Sequence, residues 1–89
     1  MNQEEQHIAQ RRPSLVLKRS VVLSGHKTSI SLEEPFWQAL REIAAEREMT
    51  TSALLNSIAS KRVEGNLSSA LRVAVLEHFR AICQKEMKA

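Results

Sequence analysis

The stretch GHKTSISLEEPFW, from Gly25 to Trp37, constrains the fold more than any other part of the chain. Between Lys27 and Leu32 its polarity has a period of two. Thr28, Ile30 and Leu32 fall on one side of an extended strand, and Lys27, Ser29 and Ser31 fall on the other. The first face is apolar enough to bury, while the second carries two hydroxyls and one cation. Glu33-Glu34-Pro35 then announces a helix, with acids near the positive end of the dipole and proline in the first turn. A short strand therefore feeds directly into a helix.

Downstream the period changes to 3.6. Phe36, Trp37, Leu40, Ile43, Ala44 and Arg47 share one stripe, and the pattern stops near Met49. Thr50-Thr51-Ser52 supplies N-cap candidates for a second helix, with Leu54, Leu55, Ile58 and Arg62 on one face and Gly65 at its end. Asn66 or Ser68 caps a third, LSSALRVAVLEHFRAICQKE. Its apolar arc is broad (Leu67, Leu71, Val73, Ala74, Val75, Leu76, Phe79, Ile82), wider than the surface helix of a monomer needs. The fold class expected is mainly α with one short β-strand per chain.

A lone strand leaves backbone donors and acceptors without partners, at a cost of about 1–3 kcal/mol for each buried group. Two partners are available. SVVLS could fold back on TSISL through Ser24-Gly25-His26-Lys27, or the same strand of a second copy could pair across a two-fold axis. The second accounts for more. Eighty-nine residues bury a modest core, a single cysteine excludes an internal disulfide, and oligomerisation is the common remedy for so small a domain. A two-fold would also set two copies of Lys27, Ser29 and Ser31 on one exposed ribbon.

The net charge is +3, and its distribution is uneven. Arg11, Arg12, Lys18, Arg19 and Lys27 fall in a segment without any acid, which points to a polyanion such as nucleic acid. A two-stranded antiparallel ribbon is one of the few shapes that fit the major groove of DNA. Residues 1–17 are expected to form a flexible basic arm, and 18–89 the folded domain. The opening MNQEEQ has no apolar core behind it, so a cytoplasmic, nucleoid-associated protein without a signal peptide is expected.

TSISLEEPFWQALREIAAEREMTTSALL resembles the core of the ribbon-helix-helix DNA-binding superfamily, which includes the Arc and methionine repressors. The longer pattern KRSVVLSGHKTSISLEEPFWQALREIAAE…GNLSSALRVAVLEHFR is similar to a bacterial subfamily with a basic lead-in and an added third helix. The resemblance spans roughly Lys18 to Arg80. It implies an intertwined homodimer whose paired strands enter the major groove, with an additional C-terminal helix. It puts the base-contacting positions on Lys27, Ser29 and Ser31, and the ribbon core on Thr28, Ile30 and Leu32. The phosphate anchor of the family falls on Thr50, Thr51 and Ser52, where free amides at a helix N-terminus attract phosphate. Arg11, Arg12, Lys18, Arg19 and His26 are further phosphate candidates. The chain departs from the family pattern in two respects: the glycine common before the second helix is absent, so that a tight left-handed turn would fall on Glu48 with strain, and Ser29 and Ser31 are smaller than the amide and guanidinium readers of better-known members.

The function expected is therefore a dimeric, sequence-specific DNA-binding protein of the transcriptional-repressor type, partnered by double-stranded DNA. The alternative is an antitoxin or adaptor using the same core, with a protein partner on the third helix. No catalytic constellation and no cofactor are expected. His7 and His78 stand alone without metal-ligand spacing. Trp37 and Cys83 are expected in the core, and Arg72, Arg80 and Lys85 on a solvated face.

Overall fold

The computed structural model describes residues 15–61 and 66–88. Two strands open the fold, β1 (Val16–Leu23) and β2 (His26–Glu33), followed by α1 (Glu34–Glu46), α2 (Thr51–Lys61) and α3 (Leu67–Lys88). The ribbon followed by three helices is the architecture read from the sequence, but the pairing partner of β2 differs. β1 and β2 form an antiparallel hairpin within one chain, in register from Val16 opposite Glu33 to Leu23 opposite His26. Among the described residues the chain has two strands where one was expected, and residues 16–23 occupy one edge of β2.

The physical reason lies in Ser24-Gly25. Both residues have positive φ, 51° and 80°, as the two-residue turn that best matches strand twist requires. Closing so short a loop costs far less entropy than recruiting a separate chain. The strand also begins two residues before the expected domain boundary, since Val16 and Leu17 belong to β1.

Along the inner side of the hairpin, Leu17, Val21 and Leu23 pack on the core from β1, and Ile30 and Leu32 are buried from β2. The helices close over them. Pro35 sits in the first turn of α1, and Trp37, Leu40, Ile43 and Ala44 form its buried face. The Trp37 indole donates to the Leu17 carbonyl at 3.1 Å, so its polar atom is satisfied inside. The helix ends in a left-handed turn. The Glu48 amide donates to the Ala45 carbonyl at 3.1 Å and the Met49 amide to the Ala44 carbonyl at 2.9 Å, the paired bonds of a Schellman cap. Glu48 carries φ 56° there, so the left-handed turn forms without a glycine.

Thr50 caps α2, its hydroxyl accepting from the Ala53 amide at 3.0 Å, and Asn66 caps α3 by accepting from the Ser69 amide at 3.2 Å. Leu54 and Leu55 of α2 are buried, and the expected end of that helix at Gly65, with Arg62, lies outside the described residues. Among the described residues of α3 Leu71 and Val75 are buried, and they join Ile30, Leu32 and the buried residues of α1 and α2 in one apolar core. The rest of its broad arc divides. Leu67, Ala74 and Ile82 are half-buried, while Val73, Leu76 and Phe79 remain exposed.

Two other expectations for α3 are corrected. Cys83 is exposed, because it lies past Val75 and beyond the reach of the core. Arg72 is not simply solvated: its guanidinium holds Glu33 Oε1 at 2.9 and 3.0 Å and lies 5.8 Å from the centre of the Phe36 ring. With the Ser68 hydroxyl donating to the Ser31 carbonyl at 2.8 Å, Arg72 ties α3 to the end of β2. No helix among the described residues is long and apolar enough to cross a membrane.

Candidate nucleic-acid interface

The hairpin register fixes which side chains share its outer face. Lys27, Ser29 and Ser31 of β2 lie there, all exposed, opposite Val22, Ser20 and Lys18 of β1, also exposed. Thr28 is half-buried and Ile30 and Leu32 are buried on the opposite face. One chain thus presents two lysines, three serines and a valine on a continuous two-stranded surface. Neither lysine has an ion-pair partner among the described residues. Short hydroxyls between two cations leave the surface flat enough to approach a polyanion closely.

A second cluster adjoins the hairpin where α2 begins. Thr50 and Ser52 are exposed and Thr51 is half-buried. The Thr50 hydroxyl and carbonyl engage the amides of Ala53 and Leu54, while the amides of Thr51 and Ser52 precede the first intrahelical bond. Thr51 and Ser52 line a shallow cleft together with Arg19 and Arg41. Arg19 lies 5.4 Å from the centre of the Trp37 ring, and both arginines stand 3.5 Å from the Glu34 carboxylate. Such long, solvent-exposed pairs are weak, so the guanidiniums can exchange Glu34 for a stronger anion. Donor amides, hydroxyls and two planar cations form a chemistry suited to phosphate.

The remaining candidates are dispersed. His26 is exposed beside the turn, opposite Leu23. Arg11 and Arg12, and His7, lie outside the described residues. The structure moves Lys18 onto the outer face beside the serines, and places Arg19 on the inner side against Trp37. His78 is largely enclosed, its Nδ1 3.3 Å from the Arg47 guanidinium and its Nε2 3.6 Å from Glu46. Because arginine can only donate, Nδ1 accepts and Nε2 carries the proton. No cluster of metal-binding side chains occurs among the described residues.

Sequence reasoning missed three residues here. Asn56, on α2, accepts from the Ser24 amide at 2.9 Å and donates to the Val22 carbonyl at 3.0 Å and the Ser52 carbonyl at 2.8 Å, clamping the hairpin tip to α2. Asparagine inside a helix is unfavourable by propensity, and that was the available signal. Arg41 gave none, since an exposed arginine on a helix is ordinary. Ser20 could have been found from the recurrence of Lys-x-Ser at Lys18 and Lys27.

Comparison with known proteins agrees with this architecture. A family model described as a ribbon-helix-helix domain matches residues 16–79. Among solved structures, an uncharacterized protein from Bordetella pertussis Tohama I is similar, at 29% identity and a TM-score of 0.74, over 100% of this chain and 75% of that one. Comparison with curated protein sequences returns no match.

Proposed function

Because the chain belongs to the ribbon-helix-helix family, we propose that it is a sequence-specific DNA-binding protein, a bacterial transcriptional repressor acting on nucleoid DNA in the cytoplasm, whose hairpin enters the major groove. The observation that carries this reading is the outer face of the hairpin, with exposed lysines flanking a row of serines. A two-stranded ribbon fits a groove about 12 Å wide, and lysine and serine can reach the acceptors on base edges there. Lys27, Ser29 and Ser31 are assigned to bases. Thr50, Thr51, Ser52, Arg19 and His26 are assigned to phosphates, with Arg11 and Arg12 adding affinity from the N-terminal segment. Phosphate contacts set register and base contacts set preference.

The sequence argued for a homodimer partly because β2 lacked a partner. β1 takes one edge of β2, and the other edge is left for the same strand of a second copy, so the proposed homodimer sets two copies of Lys27, Ser29 and Ser31 side by side. Selection from a library of random duplexes tests the proposal. Enrichment of one motif is expected, together with a log affinity that falls against log salt at about −5 to −7 for three to four phosphates on each half of the dimer. Lys27→Ala is expected to lower affinity and flatten the preference. No enrichment and no salt dependence would refute the reading.

One observation favours a protein-interaction role, that of an antitoxin or adaptor. Val73, Leu76 and Phe79 on α3 are 51%, 56% and 40% exposed. Purification in a stoichiometric complex with a second small protein, abolished by Phe79→Asp, would support that role over DNA recognition.

A further inference from the structure

A cleft of about 670 Å³ lies between α2, α3 and the end of α1, and no residue of the hairpin lines it. Its volume falls within the range of small-molecule sites, about 300–1,000 Å³. One face of α3 forms its floor, because Asn66, Ala70, Val73, Glu77 and Ala81 recur at helical spacing. The middle of the cleft is apolar, lined by Ile58 of α2 and by Val73 and Ala74 of α3. Its two ends are polar. Lys61, in the last turn of α2, marks one end with Asn66 and Ser69. Arg47, which follows α1, marks the other with Glu77 and His78. At about 1.5 Å per residue, Ser69 and His78 stand roughly 14 Å apart along α3.

Arg47 is the group that points to a ligand. Its guanidinium lies 3.3 Å from Nδ1 of His78, whose side chain is only 12% exposed, so the fork is held in place by an enclosed ring. Among the described residues no carboxylate stands within ion-pair distance of Arg47. The neutral imidazole engages one N–H of a fork that carries five, and the remaining donors match the two oxygens of a carboxylate. One acid, Glu77, against Arg47 and Lys61 leaves the lining with an excess of positive charge. We propose that this cleft binds a small amphipathic carboxylate, its carboxylate paired with Arg47, its apolar body over Ile58, Val73 and Ala74, and its far end toward Lys61 and Asn66. A second copy of a chain with net charge +3 brings no matching excess of acid. The site shares no residue with the hairpin or the start of α2, so it stands or falls separately from DNA recognition.

The test titrates the isotope-labelled full chain with decanoate at neutral pH, below its micelle-forming concentration, and in parallel with decanol and with acetate. Arg47→Gln and Val73→Trp are titrated in the same way. Both substitutions fall on exposed side chains, glutamine can still donate to His78, and circular dichroism checks that each variant keeps the fold. Expected is saturable binding of decanoate, with amide shifts confined to residues around Ile58, Val73 and His78. Decanol on the wild type, and decanoate on Arg47→Gln, are expected to bind about ten-fold more weakly or worse. Acetate should not saturate, and Val73→Trp should not bind decanoate, since its indole fills the middle of the cleft. Equal affinity for decanoate and decanol, or wild-type affinity in Arg47→Gln, would overturn the proposal, as would a failure of decanoate to saturate. Shifts at the same residues that follow protein concentration without decanoate would also overturn it, because a second copy then fills the cleft.

Discussion

At Glu48 a charged side chain occupies a backbone conformation that favours glycine. Its φ of 56° closes the Schellman turn that reverses the chain between α1 and α2, and left-handed backbone costs an L-residue with a Cβ roughly 1–2 kcal/mol. Glycine removes that cost but adds freedom to the unfolded chain, worth about 0.4–1 kcal/mol in the other direction. Glu48→Gly is therefore expected to raise stability by up to about 1 kcal/mol, seen as a higher urea midpoint with an unchanged slope. A lower midpoint would mean that the Glu48 carboxylate makes a contribution its geometry does not reveal. Asn56 works in the opposite direction, since three hydrogen bonds converge on one amide. Asn56→Ala leaves the Val22 carbonyl and the Ser24 amide to water, and a loss of about 1–2 kcal/mol is expected. Hydrogen exchange should quicken first at Ser24, and uniform quickening across the fold would count against a local clamp.

Elements are held to one another by few polar contacts, and α3 depends most on one of them. The Glu33 carboxyl titrates below the ordinary glutamate range, held there by hydrogen bonding from its backbone and then by the Arg72 guanidinium. The unfolded chain takes up this proton at a higher pH than the folded chain does. The stabilisation is thus fully present above the ordinary glutamate value of about 4.3, and it is lost as pH falls through the lower folded value. Acidification from about pH 5 to 3 is expected to destabilise the wild type more than Glu33→Gln, and parallel stability curves would remove the pair from the docking of α3. Helix limits were legible from sequence because each has a local chemical cause: Pro35 within the first turn, Thr50 and Asn66 at N-caps. The polar face of β2 was legible for the same reason, through strict alternation. The pairing of β1 was not. Val21 and Val22 are adjacent and apolar, so β1 lacks alternation where it meets β2, and the choice between a neighbouring strand and a second chain is not a local property. Half of the candidate site was hidden with it, because the place of Lys18 and Val22 on the outer face comes from the register. The inward turn of Arg72 toward Glu33 depends equally on tertiary docking.

For the molecule as a whole, the consequence lies in where the core is closed. Ile30 and Leu32 from the hairpin, Leu40 from α1, Leu54 and Leu55 from α2 and Leu71 from α3 are each 2% exposed or less without any second chain. β1 lies along one edge of β2, and Leu71 and Val75 belong to the same core. The other edge of β2 is the place for the same strand of the proposed second copy, and a dimer formed there gains stability with protomer concentration by mass action. The thermal midpoint is therefore expected to rise over a hundred-fold range of protein concentration in the absence of DNA. The gain is about 1.4 kcal/mol for each ten-fold increase in concentration, a shift of several degrees for a domain of this size, and a constant midpoint would count against the dimer. Leu71→Ala, at a side chain fully buried within one chain, should cost about 2–5 kcal/mol, and a loss well below that would mean that α3 does not close this side of the core.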